Sequence, residues 1–86
     1  MDTLDSLKGG ESGVVREINS GRALRRRLLD MGIMPGVEIQ VVRCISGKGP
    51  RQIALKGYYL ALGYGECAKI AVDKVDTLGT LIGENK

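Results

Sequence analysis

The densest chemical feature of the sequence is a cluster of four arginines within six residues, at Arg22, Arg25, Arg26 and Arg27. Guanidinium groups bind carboxylates and phosphates through paired hydrogen bonds. Three interpretations are open at this point. The cluster is the solvated face of a helix in which Arg26 pairs with Asp30 at i,i+4, a docking surface for an acidic protein partner, or a nucleic-acid site.

Nucleic-acid binding is the least favoured of the three, because no aromatic residues for base stacking lie beside the cluster. The chain has no Trp or Phe, and its three tyrosines are Tyr58, Tyr59 and Tyr64. A small RNA-binding barrel stays an alternative only if the fold brings these rings to the arginines. We expect no nucleic-acid partner, since a net charge of +3 is too small to indicate one by itself.

Few residues could hold a metal ion. The chain has two cysteines, Cys44 and Cys67, and no histidine, so no zinc-ligand spacing is present. We expect two free thiols in a reducing cytosol and no resident cofactor, with a disulfide between the two cysteines as one alternative. The other alternative is a metal-sensing domain that holds Fe(II) through Cys44, Cys67 and Glu66, which requires the second strand and the turn with Glu66 to meet in space.

Catalysis is not expected from this sequence. Without histidine, no serine or cysteine has an evident general base, and the carboxylates are scattered along the chain. A chain of 86 residues can bury only a modest core, which leaves little room for a deep substrate cavity. The sequence therefore predicts a protein that binds another molecule, and not an enzyme.

One helix and the turn after it must position the arginines. Ser20 is expected to cap the helix at its start, and Gly32 suits the left-handed residue that ends it. The buried face of this helix consists of residues about one turn apart, namely Leu24, Leu28 and Met31.

The turn that follows is Met34-Pro35-Gly36-Val37, with Pro and Gly in the positions that a type II turn favours. Met31 continues the buried stripe of the helix, whereas Met34 in the turn is expected to be exposed. Soft apolar residues beside charges suit a partner groove. We therefore predict a partner-binding surface that consists of Arg22, Arg25, Arg26 and Met34.

The rest of the chain is predicted to be mainly β. Apolar alternation and turn residues indicate five short strands, at 14–18, 37–45, 51–56, 58–62 and 70–72, with short helical turns between them. The apolar parity slips at Val41 and Val42, which indicates a bulge. We expect residues 1–74 to form a small antiparallel barrel with one inserted amphipathic helix, because closure removes exposed edges. Residues 75–86 are expected to form a weakly ordered tail or a short docked helix.

The ends and the hydropathy of the sequence bear on its location. The amino terminus carries acidic residues and lacks the apolar run of a secretory signal. No stretch approaches the roughly 18 apolar residues that a membrane-spanning helix needs. We expect a cytoplasmic protein without direct membrane insertion, and the pattern predicts no particular oligomeric state.

The segment from Arg26 to Gly36, R-R-L-L-D-M-G-I-M-P-G, resembles the helix-Leu-Gly-x-x-Pro-Gly corner of the FeoA family of ferrous iron transport proteins. Segments 7–13, 15–18, 37–43, 59–62 and 66–72 support the resemblance, which covers about residues 4–74. It implies an SH3-like barrel with inserted helices in a free cytosolic protein of bacteria and archaea. It also implies work with the membrane Fe(II) transporter FeoB, which carries a cytosolic GTPase domain.

The resulting hypothesis is a non-enzymatic accessory protein for ferrous iron uptake that binds, and regulates, the cytosolic GTPase part of FeoB. The family has no settled catalytic or metal residues to carry over. A sharper form of the hypothesis places one of the arginines in the GTPase site, where it stabilises the charge of phosphoryl transfer.

Overall fold

The structure, a computed structural model, describes residues 2–44 and 49–75. These residues form six β-strands and two short α-helices. A single turn of 3-10 helix, Leu4–Ser6, follows the first strand. The other elements in chain order are β1 (Asp2–Thr3), β2 (Ser12–Ile18), α1 (Arg22–Asp30), β3 (Glu38–Cys44), β4 (Arg51–Leu55), β5 (Tyr58–Leu62), α2 (Tyr64–Cys67) and β6 (Ile70–Val75). None of the described helices is long and apolar enough to span a bilayer.

The strands form one antiparallel sheet in the order β1-β6-β2-β3-β4-β5. The β3–β4 register shifts between Val41 and Arg43, which confirms the bulge expected from the apolar parity. A second shift lies in the β2–β6 pair, between Val15 and Glu17. Bulges increase local twist, and the two together let a sheet this small curl on itself.

The core inside the curled sheet is aliphatic, as expected for a chain without Trp or Phe. It contains residues from most of the described chain, from Leu4 just after the first strand to Val72 in the last strand. The fourteen buried members of this cluster are Leu4, Leu7, Val15, Ile18, Leu28, Ile33, Ile39, Val41, Ile53, Leu55, Leu62, Cys67, Ile70 and Val72.

Helical turns and one buried arginine bridge the two ends of the strand order. α2, which follows β5, packs against the 3-10 turn that follows β1. Arg51 at the start of β4 is only 7% exposed. Its Nη1 donates to the Leu7 carbonyl at 2.5 Å and to the Cys44 sulfur at 2.8 Å, and its guanidinium lies 5.7 Å from the centre of the Tyr64 ring. Arg51 thus ties β3 and β4 to both helical turns, and the sheet becomes a small barrel.

The corner after α1 has the geometry that its sequence predicts. Gly32 is left-handed at φ 89°, and the Gly32 and Ile33 amides donate to carbonyls in the last turn of α1. This is the Schellman arrangement, in which the Ile33 side chain packs beside Leu28 in the core. In the next turn the Val37 amide donates to the Met34 carbonyl at 3.1 Å, and Gly36 has φ 95°, which confirms the type II turn.

Two details of the helix and the strands differ from expectation. The residue at the amino-terminal cap of α1 is Gly21, because the Ser20 hydroxyl donates to the Gly21 carbonyl and is not used as a cap. There are six described strands and not five, since the two residues of β1 are too few to show periodicity. β2 begins earlier and β6 ends later than predicted, at Ser12 and Val75. The predicted tail begins at residue 75, but Val75 is the last residue of β6, and residues 76–86 lie outside the described residues.

Candidate partner-docking surface

The two faces of α1 differ sharply in character. Leu28 is fully buried, and Leu24 and Met31 pack against the same core while partly exposed. These three residues anchor the helix on the barrel, as the helical spacing predicts.

The opposite face carries the arginines. At about 100° per residue, Arg22, Arg25, Arg26 and Leu29 fall within roughly 100° of arc on the side of α1 opposite Leu24 and Met31. All four are exposed, and Leu29 is 41% exposed although it is a leucine. We call these four residues the α1 surface.

The arginines of the cluster have different partners. Arg25 Nη2 donates to the carbonyls of Ile18 and Ser20, each at 3.2 Å, and so ties the helix to the end of β2. Arg27 forms an ion pair with Glu66 in α2 and is therefore not part of the α1 surface.

Arg22 and Arg26 have no ion-pair partner in the part of the chain that the structure describes. Within residues 2–44 and 49–75, no carboxylate oxygen lies within 4.0 Å of either guanidinium, and the i,i+4 pair of Arg26 with Asp30 is not formed. Unpaired guanidinium groups on one exposed helix face attract carboxylates of a second molecule.

A surface cleft of about 330 Å³ adjoins this face, between the end of β2, α1 and the Pro-Gly corner. Apolar walls and two charged groups line it together. The lining residues are Glu17, Ile18, Asn19, Arg25, Leu29 and Pro35.

The apolar part of the surface differs from the expectation. Met34, which the sequence predicts to be exposed, is only partly exposed in the turn. Leu29 and Pro35 are more exposed and line the cleft. Sequence reasoning missed Leu29, although its spacing of three and four residues from Arg26 and Arg25 places it on the arginine face.

The residues considered for Fe(II) are not arranged as a metal site. Cys44 is exposed and Cys67 is buried, and both thiols are free. Burial raises the pKa of the Cys67 thiol to about 11, which disfavours the thiolate that binds metals. The Glu66 carboxylate pairs with Arg27 and accepts from the Gly63 amide at 3.0 Å. Over the described ranges, no group of three or more His, Cys, Asp and Glu side chains could hold a metal ion.

The three tyrosines have three different environments. The Tyr58 hydroxyl donates to the Met31 carbonyl just after α1, and the Tyr64 ring faces Arg51. Tyr59 is 66% exposed and follows Tyr58 directly in β5, so the two point to opposite faces of the sheet. These rings therefore do not form one stacking platform for nucleic-acid bases on the α1 surface.

Comparisons with known proteins agree over nearly the whole described chain. The model of the FeoA domain matches residues 3–74. The chain is 36% identical over 76 residues to the putative Fe(2+) transport protein A of Methanocaldococcus jannaschii, which covers 88% of this chain and 90% of that protein. It is also 29% identical over 77 residues to an Fe(2+) transport protein A/Fe(2+) transporter FeoB fusion protein of Porphyromonas gingivalis, with coverage of 90% of this chain and 9% of the fusion.

A solved structure gives the same result for the fold. The crystal structure of Stenotrophomonas maltophilia FeoA complexed with zinc, described as a prokaryotic SH3 domain protein, superposes with a TM-score of 0.73. Its sequence is 25% identical, and the match covers 92% of this chain and 94% of that one. The barrel is therefore SH3-like, and the chain belongs to the FeoA family of ferrous iron transport accessory proteins.

Proposed function

We propose that this protein is a non-enzymatic, cytoplasmic adaptor that binds the cytosolic GTPase region of an FeoB-type ferrous iron transporter and regulates it. The proposed contact is the α1 surface, with Met34 in the turn beyond it. The relative in Porphyromonas gingivalis supports an association with FeoB, because it is named as a fusion of Fe(2+) transport protein A with the Fe(2+) transporter FeoB.

The exposed face of α1 is the observation that carries this proposal. Arg22 and Arg26 have no carboxylate partner among the described residues, and the exposed Leu29 lies one turn after Arg26 on the same helix face. Arginine is one of the residue types enriched among those that dominate binding energy at protein interfaces. The partner region is expected to present carboxylates at the matching positions, because complementary charge raises the association rate and fixes orientation.

The proposed regulation can be made more specific, with an arginine of this surface acting in the GTPase site of the partner. Arg25 and Arg27 are held by hydrogen bonds and an ion pair, whereas Arg22 and Arg26 are free to reach into a partner. A guanidinium placed at the γ-phosphate stabilises transition-state charge and accelerates hydrolysis by about 10³ to 10⁵. Single Arg22→Ala and Arg26→Ala variants that still bind, but no longer stimulate GTP hydrolysis at saturation, identify this role. No stimulation by the unaltered protein excludes it.

The experiment for the adaptor proposal measures binding to the purified cytosolic region of the cognate transporter. The test variant replaces Arg22, Arg25 and Arg26 by Glu. The control makes the same change of charge at three exposed lysines elsewhere on the chain, Lys8, Lys56 and Lys69.

We expect the arginine variant to lose binding at physiological salt and the lysine variant to retain most of it. Thermal unfolding of both variants shows that each is folded. Equal binding by the two variants, or undiminished Fe(II) uptake by cells that carry the arginine variant, overturns the proposed surface. Lost uptake with retained binding instead assigns the arginines to regulation.

A further inference from the structure

The cleft beside α1 is already shaped before any partner arrives. Ile18, Leu29 and Pro35 supply its apolar walls, and Leu29 remains 41% exposed there. The Pro-Gly corner is pinned to β2, because the Gly36 amide donates to the Val15 carbonyl at 2.8 Å. A cavity whose walls are fixed by backbone bonds loses little freedom on binding.

Its volume limits what it can hold. At about 330 Å³, the cleft is at the lower end of the roughly 300–1,000 Å³ typical of small-molecule pockets. It is also open to solvent and not enclosed. Such a space suits one large apolar side chain that projects from another molecule, and not an enclosed cofactor.

Arg25 indicates that the partner should present a carboxylate next to this apolar side chain. A guanidinium has five N–H donors, and Arg25 uses those of Nη2 for the carbonyls of Ile18 and Ser20. The donors on Nη1 and Nε have no partner in the described part of the chain, and each is available for a charge-assisted hydrogen bond to a carboxylate. Arg22 stands one turn earlier on the same exposed face.

Glu17 also lines the cleft, at the end of β2 to which the Arg25 guanidinium is hydrogen-bonded. The cleft therefore combines charges of both signs with apolar walls. A uniformly charged chain such as a phosphate backbone does not match this combination.

We infer that this cleft captures one apolar side chain, of leucine or isoleucine type, from an acidic segment of the partner protein, with a neighbouring carboxylate of that segment bound to Arg25. This inference rests on the proposed function and adds to it the anchor residue that the partner must present. Charge steers the segment to α1, and the cleft then holds it.

The first test separates the contribution of the apolar contact in the cleft from that of charge attraction. Leu29→Gln removes an apolar wall without a change of charge, and Val42→Gln is the matched control, since Val42 is an exposed apolar residue of β3 that is not part of the cleft. Binding to the cytosolic region of the transporter is followed by stopped flow.

We expect Leu29→Gln to raise the dissociation rate by about tenfold or more with little change in association rate, as loss of an anchor does. The control should be within about twofold of the unaltered protein. Equal dissociation rates for Leu29→Gln and Val42→Gln overturn the inference, whereas no binding by the unaltered protein overturns the proposed function.

The second test does not need the transporter. Two short capped peptides, Asp-Glu-Leu-Glu-Asp and Asp-Glu-Ser-Glu-Asp, are titrated into the labelled protein, and amide and guanidinium resonances are followed by NMR. We expect the leucine peptide to shift Ile18, Leu29 and the Arg25 Nε–H in a saturable manner, and Leu29→Gln to abolish the shifts of Ile18.

The serine peptide is expected to move only the arginine signals, and more weakly as salt rises. Identical cleft shifts from the two peptides overturn the inference. Cleft shifts that depend on protein concentration without peptide also overturn it, because a second copy of this chain then occupies the site.

Discussion

At the residue scale, Gly32 is required for two separate reasons. Its φ of 89° is left-handed, a conformation that residues with a Cβ adopt only with strain. A Cβ at this position would also lie 3.0 Å from the Tyr58 hydroxyl, which donates to the Met31 carbonyl. Backbone conformation and the contact with β5 therefore both select glycine.

Gly32→Ala is expected to lower the free energy of unfolding by roughly 1–3 kcal/mol, which is backbone strain plus a disturbed hydrogen bond. The control is Gly36→Ala, where φ is 95° but no atom lies within 4 Å of the new Cβ, so only strain remains. Urea unfolding of the two variants measures the difference. If Tyr58→Phe in both backgrounds removes no part of it, the contact with Tyr58 is not its cause.

The two thiols also differ at this scale. Burial is the main cause that raises the Cys67 pKa from 9.0 to about 11, and the Arg51 charge opposes the shift. Because the folded state holds this proton more tightly than the unfolded state, Cys67 contributes stability that is complete below pH 9 and is lost as the pH rises towards 11.

We therefore expect the unfolding free energy to fall by on the order of 1–2 kcal/mol between pH 8.5 and 10.5, since one pKa unit corresponds to about 1.4 kcal/mol. Cys67→Ala lowers stability at pH 8 but should flatten this decline. Denaturant unfolding across the pH range provides the measurement, with Cys44→Ala as the control at the exposed thiol. A parallel decline in Cys67→Ala would show that another group is responsible.

At the element scale, Arg51 is the link that converts a curled sheet into a barrel. β1 and β5 are the two ends of the strand order, and Arg51 connects the elements next to both. The arrangement is imperfect, because the Arg51 Nε is buried and has no hydrogen-bond partner in the described part of the chain. A buried arginine of this kind stabilises the fold through the elements that its hydrogen bonds connect, whereas its own desolvation lowers the free energy of unfolding.

Arg51→Ala is expected to destabilise the protein by about 2–4 kcal/mol, since it leaves a cavity and an unsatisfied Leu7 carbonyl. Arg51→Met keeps the apolar stem and removes the unpaired Nε, so it should cost less than half as much. Arg43→Ala, at an exposed position of β3, is the control and should stay within about 0.5 kcal/mol. Thermal and urea unfolding give these values, and equal stability of Arg51→Ala and Arg43→Ala would contradict the proposed link.

At the scale of the whole molecule, charge is distributed unevenly and the net value of +3 hides this. Two cations elsewhere on the barrel are paired, Lys74 with Glu11 at 2.8 Å and Arg16 with Asp73 at 3.1 Å. The α1 surface is different, because it holds two arginines on one helix face, Arg22 and Arg26, that have no such partners among the described residues. Electrostatic steering should therefore orient the molecule with α1 towards an acidic partner.

The association rate with the transporter's cytosolic region is expected to fall about tenfold or more between 50 and 500 mM salt. Arg22→Gln combined with Arg26→Gln should reduce this dependence, while Lys8→Gln combined with Lys69→Gln should change it little. Stopped-flow mixing at several salt concentrations measures the slopes. An association rate that does not depend on salt contradicts steering by this face.

Local chemistry alone accounts for much of the architecture. The left-handed end of α1 at Gly32, the type II turn at Pro35 and Gly36, the β3 bulge and the bounds of β5 follow from the sequence, because each depends on the preferences of a few neighbouring residues. The inward stripe of Leu24, Leu28 and Met31 follows for the same reason.

Only the tertiary structure decided how distant segments meet. The pairing of β1 with β6, the burial of Arg51 against Leu7 and Tyr64, and the cleft between β2, Leu29 and Pro35 all join residues far apart in the chain. Such contacts depend on how the sheet curls and not on any local pattern. The sequence by itself therefore determined which residues form the helix, the corner and the arginine cluster, while the curl of the barrel decided that Arg27 pairs with Glu66 and that Arg22 and Arg26 stay unpaired.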